Sequence, residues 1–306
     1  MKVRVLGSAA GGGFPQWNCN CRNCTGVRRR TLRATPRTQS SIAVCGRDGR
    51  SWALINASPD ILAQLRASPA LQGTAVPRDS AIGAIVLVDG QIDHTAGLLL
   101  LRESGRPLAI WCTDEVCADL SHGYPVFGVL AHYCGVERRG IVPDGSRFAI
   151  PGVTGVLWRA LAVAGKPAPY SPHRDAPVRG DNIALIMEEE SSARTIVYAP
   201  GVSAMQEDLW QAMQGASAVL VDGTFWSDDE MAALGIAHKR ARDLGHLPQS
   251  GAGGMLEWLG RLPADSRRIL VHVNNTNPIL DEDSPQRAEL DRRGIEVAWD
   301  GLEIEL

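Results

Sequence analysis

Three runs of apolar residues end abruptly in residues that ligate metals, and this pattern constrains the fold of the 306-residue chain more than any other feature. Ile85, Val86, Leu87 and Val88 lead into Asp89, with Asp93 and His94 close behind. Ala218, Val219, Leu220 and Val221 lead into Asp222, and Ile269, Leu270 and Val271 lead into His272. A strand apolar on both faces belongs in a sheet covered on each side. Loops at the strand ends of such a sheet carry binding groups. Taken alone, a strand-end aspartate or an Asp-His pair reads as a turn or cap residue. Three together favour a shared site, and His246, followed by Leu247 and Pro248, is a fourth candidate.

Around these runs, strands read at 2–6, 40–45, 52–56, 82–88, 109–113, 183–188, 195–198, 218–221 and 268–273. Helices read at 59–66, 95–103, 113–121, 205–214, 228–234 and 253–262. Some strands follow one another in antiparallel fashion and others alternate with helices. With no Pro- or Ser-rich linker and no internal repeat, the reading is one layered α/β domain over 1–306. A hydrophobic content of 44% is enough for a substantial core, and 31 Lys and Arg against 34 Asp and Glu leave no footprint for general nucleic-acid binding. The apolar runs are too short to span a membrane, and the N-terminus lacks the apolar region of a secretory signal, so a cytoplasmic protein is expected. The glycine loop at 7–15 lacks the Walker and dinucleotide spacings, and its glycines read as places where backbone passes close to another group.

Seven cysteines in a chain of this kind argue against a disulfide framework. Cys45, Cys112, Cys117 and Cys134 are scattered and read as small buried hydrophobes. Cys19, Cys21 and Cys24 fall within six residues, which suits a structural zinc that takes its fourth ligand from elsewhere. Unligated reduced thiols are the competing reading.

Several segments resemble the metallo-β-lactamase superfamily and, within it, the branch that serves synthesis of the cofactor pyrroloquinoline quinone (PQQ). They are the run from Gly7 through Gly13, Phe14 and Pro15 to Cys21; Asn56, Ala57, Ser58, Pro59 and Asp60; Gln91, Ile92, Asp93 and His94; Tyr170, Ser171, Pro172 and His173; and His272, Val273, Asn274, Asn275, Thr276, Asn277 and Pro278. The resemblance implies an αββα sandwich of two mixed sheets flanked by helices, with a cysteine-rich zinc loop at about 7–30. It implies metal ligands at Asp93, His94, Asp222 and His272, and a catalytic histidine at His246. The phosphodiesterase branch places a histidine as fourth zinc ligand where this chain has Asn275, so that ligand stays open.

The departures from the superfamily are as informative. Asp89 and Gln91 stand where its first two metal histidines lie, and residues 163–167, where a middle histidine is expected, have none. Two-metal hydrolysis thereby loses half of its machinery. A single metal held by two histidines and one or two carboxylates is an environment for non-haem Fe(II) and oxygen chemistry, although zinc competes for the same ligands. The resemblance implies iron-dependent, O2-using hydroxylation of the tyrosine ring of a Glu–Tyr-derived precursor, with His246 shuttling a proton. A carrier or transport-assisting protein for PQQ or its precursor, and a metal-dependent hydrolase, are the competing readings. His173, Lys166 and Arg179, with Arg174 and Arg240, are candidates for substrate carboxylates, against a role as solvated surface. A homodimer and contacts with other PQQ-pathway proteins remain open.

Overall fold

Two seven-stranded sheets lie face to face in the computed structural model, which describes residues 1–73 and 76–306. In chain order the strands are β1 (Lys2–Gly7), β2 (Ser41–Cys45), β3 (Trp52–Ile55), β4 (Ile82–Val86), β5 (Leu108–Cys112), β6 (Val136–Gly140) and β7 (Asp144–Ala149). They continue as β8 (Val156–Ala162), β9 (Ile183–Glu189), β10 (Thr195–Ala199), β11 (Ala218–Asp222), β12 (Arg267–Val271), β13 (Ile295–Val297) and β14 (Glu303–Glu305). The first sheet has the order β14-β1-β2-β3-β4-β5-β6 and the second β13-β12-β11-β10-β9-β8-β7. Each is mixed in the same way: β1, β2 and β3 pair antiparallel and β3 to β6 parallel, while β7 to β10 pair antiparallel and β10 to β13 parallel.

Alternation along each strand builds three apolar layers. Val3, Val5, Ile42, Val44, Ile55 and Val86 from the first sheet meet Trp158, Leu185, Met187, Tyr198, Leu220 and Ile269 from the second. The opposite face of the first sheet packs Leu54, Ile85 and Ile110 against Ile61, Leu98, Val116 and Leu120 on its covering helical segments. The outer face of the second packs Ile186, Val197, Val219 and Leu270 against Leu209, Met213, Met255 and Leu290. Strands apolar on both faces were therefore correctly read as covered on both sides.

The nine expected strands are present, and β6, β7, β8, β13 and β14 were not anticipated. Strands β6 and β7 are edge strands with mostly exposed residues, and β13 and β14 are three residues long, so neither pair carries an apolar signature. The expected helix at 95–103 is a 3-10 segment, Ala96–Leu101, and the one at 113–121 begins at Asp114, capped by the Thr113 hydroxyl accepting from the Val116 amide. Helices Arg22–Arg29, Ile92–Thr95, Val126–Leu130 and Pro285–Arg292 were also missed. Cys45 and Cys112 are buried as expected, whereas Cys117 and Cys134 are partly exposed.

The two sheets meet at one end of their strands through short backbone links. Asp89 bridges to Asn182, the Ile183 amide donates to the Val88 carbonyl at 2.9 Å, and Ala9 bridges to both Gln39 and Val273. The glycine loop thus crosses from one sheet to the other beside the ends of β4, β11 and β12. Gly11 presses against Asp93 there: a Cβ on Gly11 would stand 3.2 Å from Asp93 Oδ2. Among the described residues, no helix is long and apolar enough to cross a membrane.

Candidate metal centre

Helix Ile92–Thr95 follows directly on Asp89, and its single turn presents Asp93 and His94 together. The ring of His94 lies with Nδ1 2.8 and 2.9 Å from the two oxygens of Asp89, so Nδ1–H donates to the carboxylate and the lone pair is left on Nε2. That Nε2 is buried and has no hydrogen-bond partner among the described residues. Asp93 Oδ2 stands 3.9 Å from it and 3.3 Å from His272 Nε2. One ligand atom from each of Asp93, His94 and His272 falls within 4.8 Å of the others. Burial would raise the Asp93 carboxyl, but the charge of His94 and the hydrogen bond and charge of His272 hold it well below the usual carboxylate range. Burial would lower the His94 imidazole, yet Asp89 and Asp93 outweigh it and push its pKa up to about 9. The site is built to hold positive charge, and its donor set, two imidazoles and a carboxylate beside an orphaned buried nitrogen, fits a divalent metal ion.

His272 follows β12 at φ 58°, a left-handed conformation that costs a non-glycine residue about 1 kcal/mol or more. Flanking backbone bonds over-determine it: the Val273 amide donates to Ser8 and the Asn274 amide to Thr224. The strain turns Nε2 toward Asp93 and leaves Nδ1 2.9 Å from the Thr224 hydroxyl.

Asp222 departs from the expected ligand set. Its Oδ1 accepts from the Thr224 amide at 3.0 Å and hydroxyl at 2.6 Å, and its Oδ2 from the Val202 amide at 3.0 Å and His246 Nδ1 at 2.8 Å. Four donors saturate a carboxylate, and Asp222 is not in the three-residue convergence. His246 is held by Asp222 and by Thr224 Oγ1 at 3.1 Å, and it stacks on His272 with ring centroids 5.3 Å apart. Burial opposes protonation of His246, but Asp222 more than compensates and its pKa is raised.

The thiols of Cys19, Cys21 and Cys24 form a second group within 4.8 Å. Cys21 caps helix Arg22–Arg29 and Cys24 lies in its first turn, where a loop was expected. Amides of Gln16, Cys21 and Cys24 donate to Cys24, Cys19 and Cys21 sulfurs at 3.3, 3.4 and 3.5 Å. Burial works against ionisation at Cys19, but donors from Cys21, Cys24 and Asn275 lower its pKa, while burial pushes the Cys21 thiol up to about 12. One thiol of the group therefore ionises first, and the donor set fits zinc. Asn275 reaches the cluster through its amide nitrogen, 3.3 Å from Cys24 Sγ and 3.7 Å from Cys21 Sγ, and so stands there as a donor to sulfur.

Residues 51–273 match the beta-lactamase superfamily domain. Coenzyme PQQ synthesis protein B of Azoarcus sp. (strain BH72) is 61% identical over 306 residues, covering 100% of each chain. The chain belongs to the coenzyme PQQ synthesis protein B family. Zn(2+)-bound PqqB from Methylobacterium extorquens is similar at 37% identity and a TM-score of 0.90, with 100% of each chain covered. A diphosphatase of the PhnP family, 17% identical with a TM-score of 0.68 over 100% of this chain and 97% of its own, shares the fold. The αββα architecture expected from the resemblance is thus the fold of this PQQ synthesis protein B family member.

A cavity of about 250 Å³ opens onto Asp93, His94, His246 and His272, with Lys166 and Arg174 in its wall. His173 and Arg179, two of the expected substrate residues, lie outside that wall. His173 pairs with Asp181 at 3.0 Å and Arg179 donates to the Pro143 carbonyl. Arg240 is likewise outside, exposed, with Asp228 at 4.0 Å. Asp89 and Thr224 were not anticipated in their present parts. For Asp89 a signal existed, since a carboxylate beside a ligating histidine is a recurrent arrangement in metal sites. For Thr224, two residues beyond Asp222, the sequence offered none.

Proposed function

We propose that this chain serves PQQ biosynthesis by binding a ferrous ion through Asp93, His94 and His272 and hydroxylating the tyrosine ring of a Glu–Tyr-derived precursor with O2, one oxygen atom going to the ring and the other leaving as water with two protons and two electrons from an external reductant, and that zinc occupies the thiol group of Cys19, Cys21 and Cys24. The observation that carries this reading is the buried, unpartnered Nε2 of His94, set beside Asp93 and His272 Nε2 on the wall of a small cavity. Two histidines and one carboxylate are the donor set of non-haem iron sites that keep open positions. A ferrous ion held there would supply the activation of O2 beside the ring.

The remaining work falls to side chains. Asp89 fixes the His94 ring with Nε2 free, and Thr224 accepts from Nδ1 of His272 to the same end. His246, with Nδ1 committed to Asp222, is left with Nε2 to take a proton from the ring hydroxyl, and Asp222 stabilises the imidazolium that results. A two-metal hydrolase reading is disfavoured by specific contacts. Asp89 is engaged with His94, and Gln91 donates its amide to the Lys166 carbonyl at 2.9 Å, so both positions that would carry the first histidines are in use.

The test is oxygen uptake and product mass on a Glu–Tyr-derived peptide, with ascorbate supplied as the two-electron reductant, after anaerobic Fe(II) loading, in wild type and His94→Ala. Uptake with a gain of oxygen on the ring in wild type alone supports the proposal. Iron and ligand retained without uptake would favour a carrier, and phosphodiester cleavage independent of O2 would favour a hydrolase.

A further inference from the structure

We propose that Lys166 and Arg174 form a carboxylate-binding end of the cavity, so that the part of the ligand held there is an aromatic ring with a carboxylate arm, the ring lying toward Asp93, His94 and His272. The assignment of the ring end rests on the reading of the metal site given above. Lys166 is fixed from three sides. Gln91 Nε2 donates to its carbonyl at 2.9 Å, and its own Nζ donates to the Asp243 carbonyl at 2.9 Å. Gly245, at φ 94°, leaves the room it needs, because a Cβ there would stand 2.8 Å from Lys166 Cβ. The backbone of Lys166 is therefore held between Gln91, just before helix Ile92–Thr95, and the turn that carries His246, and its ammonium is tied to that turn with two of its three donors left over.

Arg174 is held by donating from Nη1 to the Pro167 carbonyl, and four guanidinium donors remain. Among the described residues no carboxylate pairs with Lys166 or Arg174, and both are only partly exposed. A solvated surface pair would not be clamped in this way. Along the cavity wall Asp89 and Asp93 offset Lys166 and Arg174, so the two positive charges of a bound divalent ion are left over. A carboxylate and a ring oxygen that has lost its proton supply the two negative charges that balance them. The volume, about 250 Å³, lies below the usual range for ligand pockets and suits one ring with its acid arm.

The test titrates 3,4-dihydroxyphenylacetate and its carboxamide into the full chain, with and without zinc loaded at the triad. Wild type, Arg174→Gln and Lys166→Met are compared. Charge-assisted bonds to the carboxylate should make wild type prefer the acid by about tenfold or more. Each variant should lose most of that preference while binding the carboxamide within about twofold of wild type, which also shows that its cavity is intact. The preference should persist in metal-free protein, whereas the ring's contribution should strengthen with metal. Equal binding of acid and carboxamide by wild type, a variant that weakens both alike, or a preference that exists only with metal bound would each overturn the assignment. An acid preference that survives while the ring gains nothing from metal supports the carboxylate end and overturns the metal-site reading instead.

Discussion

Replacing Asp89 by Asn tests whether the carboxylate behind His94 tunes the metal centre. Both Asp89 oxygens lie within 2.9 Å of His94 Nδ1, and the two side chains are 8% and 3% exposed, so water screens the pair little. The amide keeps one acceptor for Nδ1–H, and the Gln91 amide, now 2.9 Å from Oδ1, competes for it. What disappears is the charge. A charge-assisted bond is about twice as strong as a neutral one, a difference of about 1–1.5 kcal/mol. Loss of such an outer-shell partner typically weakens metal binding about 10- to 100-fold, or about 1.4–2.7 kcal/mol. The assay is competition of Zn(II) against a chromophoric chelator, run near pH 9 so that protons compete little for a His94 whose pKa is about 9. Zinc held by Cys19, Cys21 and Cys24 serves as the internal control and should be unchanged. An affinity within twofold of wild type, or loss of both metals together, would show that the Asp89 charge does not tune the site.

Three further outcomes are expected. Cys21→Ala should remove the thiol-bound zinc and lower the thermal midpoint by on the order of 5 °C, because Cys21 and Asn23 tie the N-terminal segment to the backbone after His272; unchanged zinc content would contradict the structural-zinc reading. Burial raises the Glu230 carboxyl to about 7 despite bonds from Thr276 and the Trp226 amide. Folding thus favours its protonated form, a contribution present in full below the ordinary value of 4.5 and lost as pH rises through about 7. Denaturant titration should show stability falling by about 3 kcal/mol over that window from this group, and Glu230→Gln should flatten it. His246→Ala should retain metal but lower turnover about 100-fold or more; a loss of only a few-fold would leave His246 a packing residue.

The legible part of the fold was the part with an apolar signature. β4, β11 and β12 announce themselves because both faces are buried, and Asp93, His94, Asp222, His246 and His272 at and near their ends are joined by direct contacts. Strand β6, with Glu137, Arg138 and Arg139 exposed on an edge, has no such signature, and helix Arg22–Arg29 hides its few buried residues among arginines. β8 is different: Val156, Trp158 and Ala160 alternate inward, so its period is present in the sequence. Within the site, residue types and strand ends can be read from the chain, but hydrogen-bond saturation cannot. Asp222 looks like a ligand until its four donors are seen, and Asp89 looks like a missing histidine until His94 is found leaning on it. Likewise Lys166, Arg174, His173 and Arg179 are equivalent in the sequence, and only the path of the connection between β8 and β9 puts the first two on the cavity wall.

The most direct test of the account is the count of iron and zinc per chain after anaerobic Fe(II) loading in wild type, His94→Ala and Cys21→Ala. Wild type should hold one iron and one zinc, His94→Ala zinc alone, and Cys21→Ala should lose its zinc. Iron retained in His94→Ala, or two zincs bound at the triad and its surroundings with the thiols empty, would contradict it.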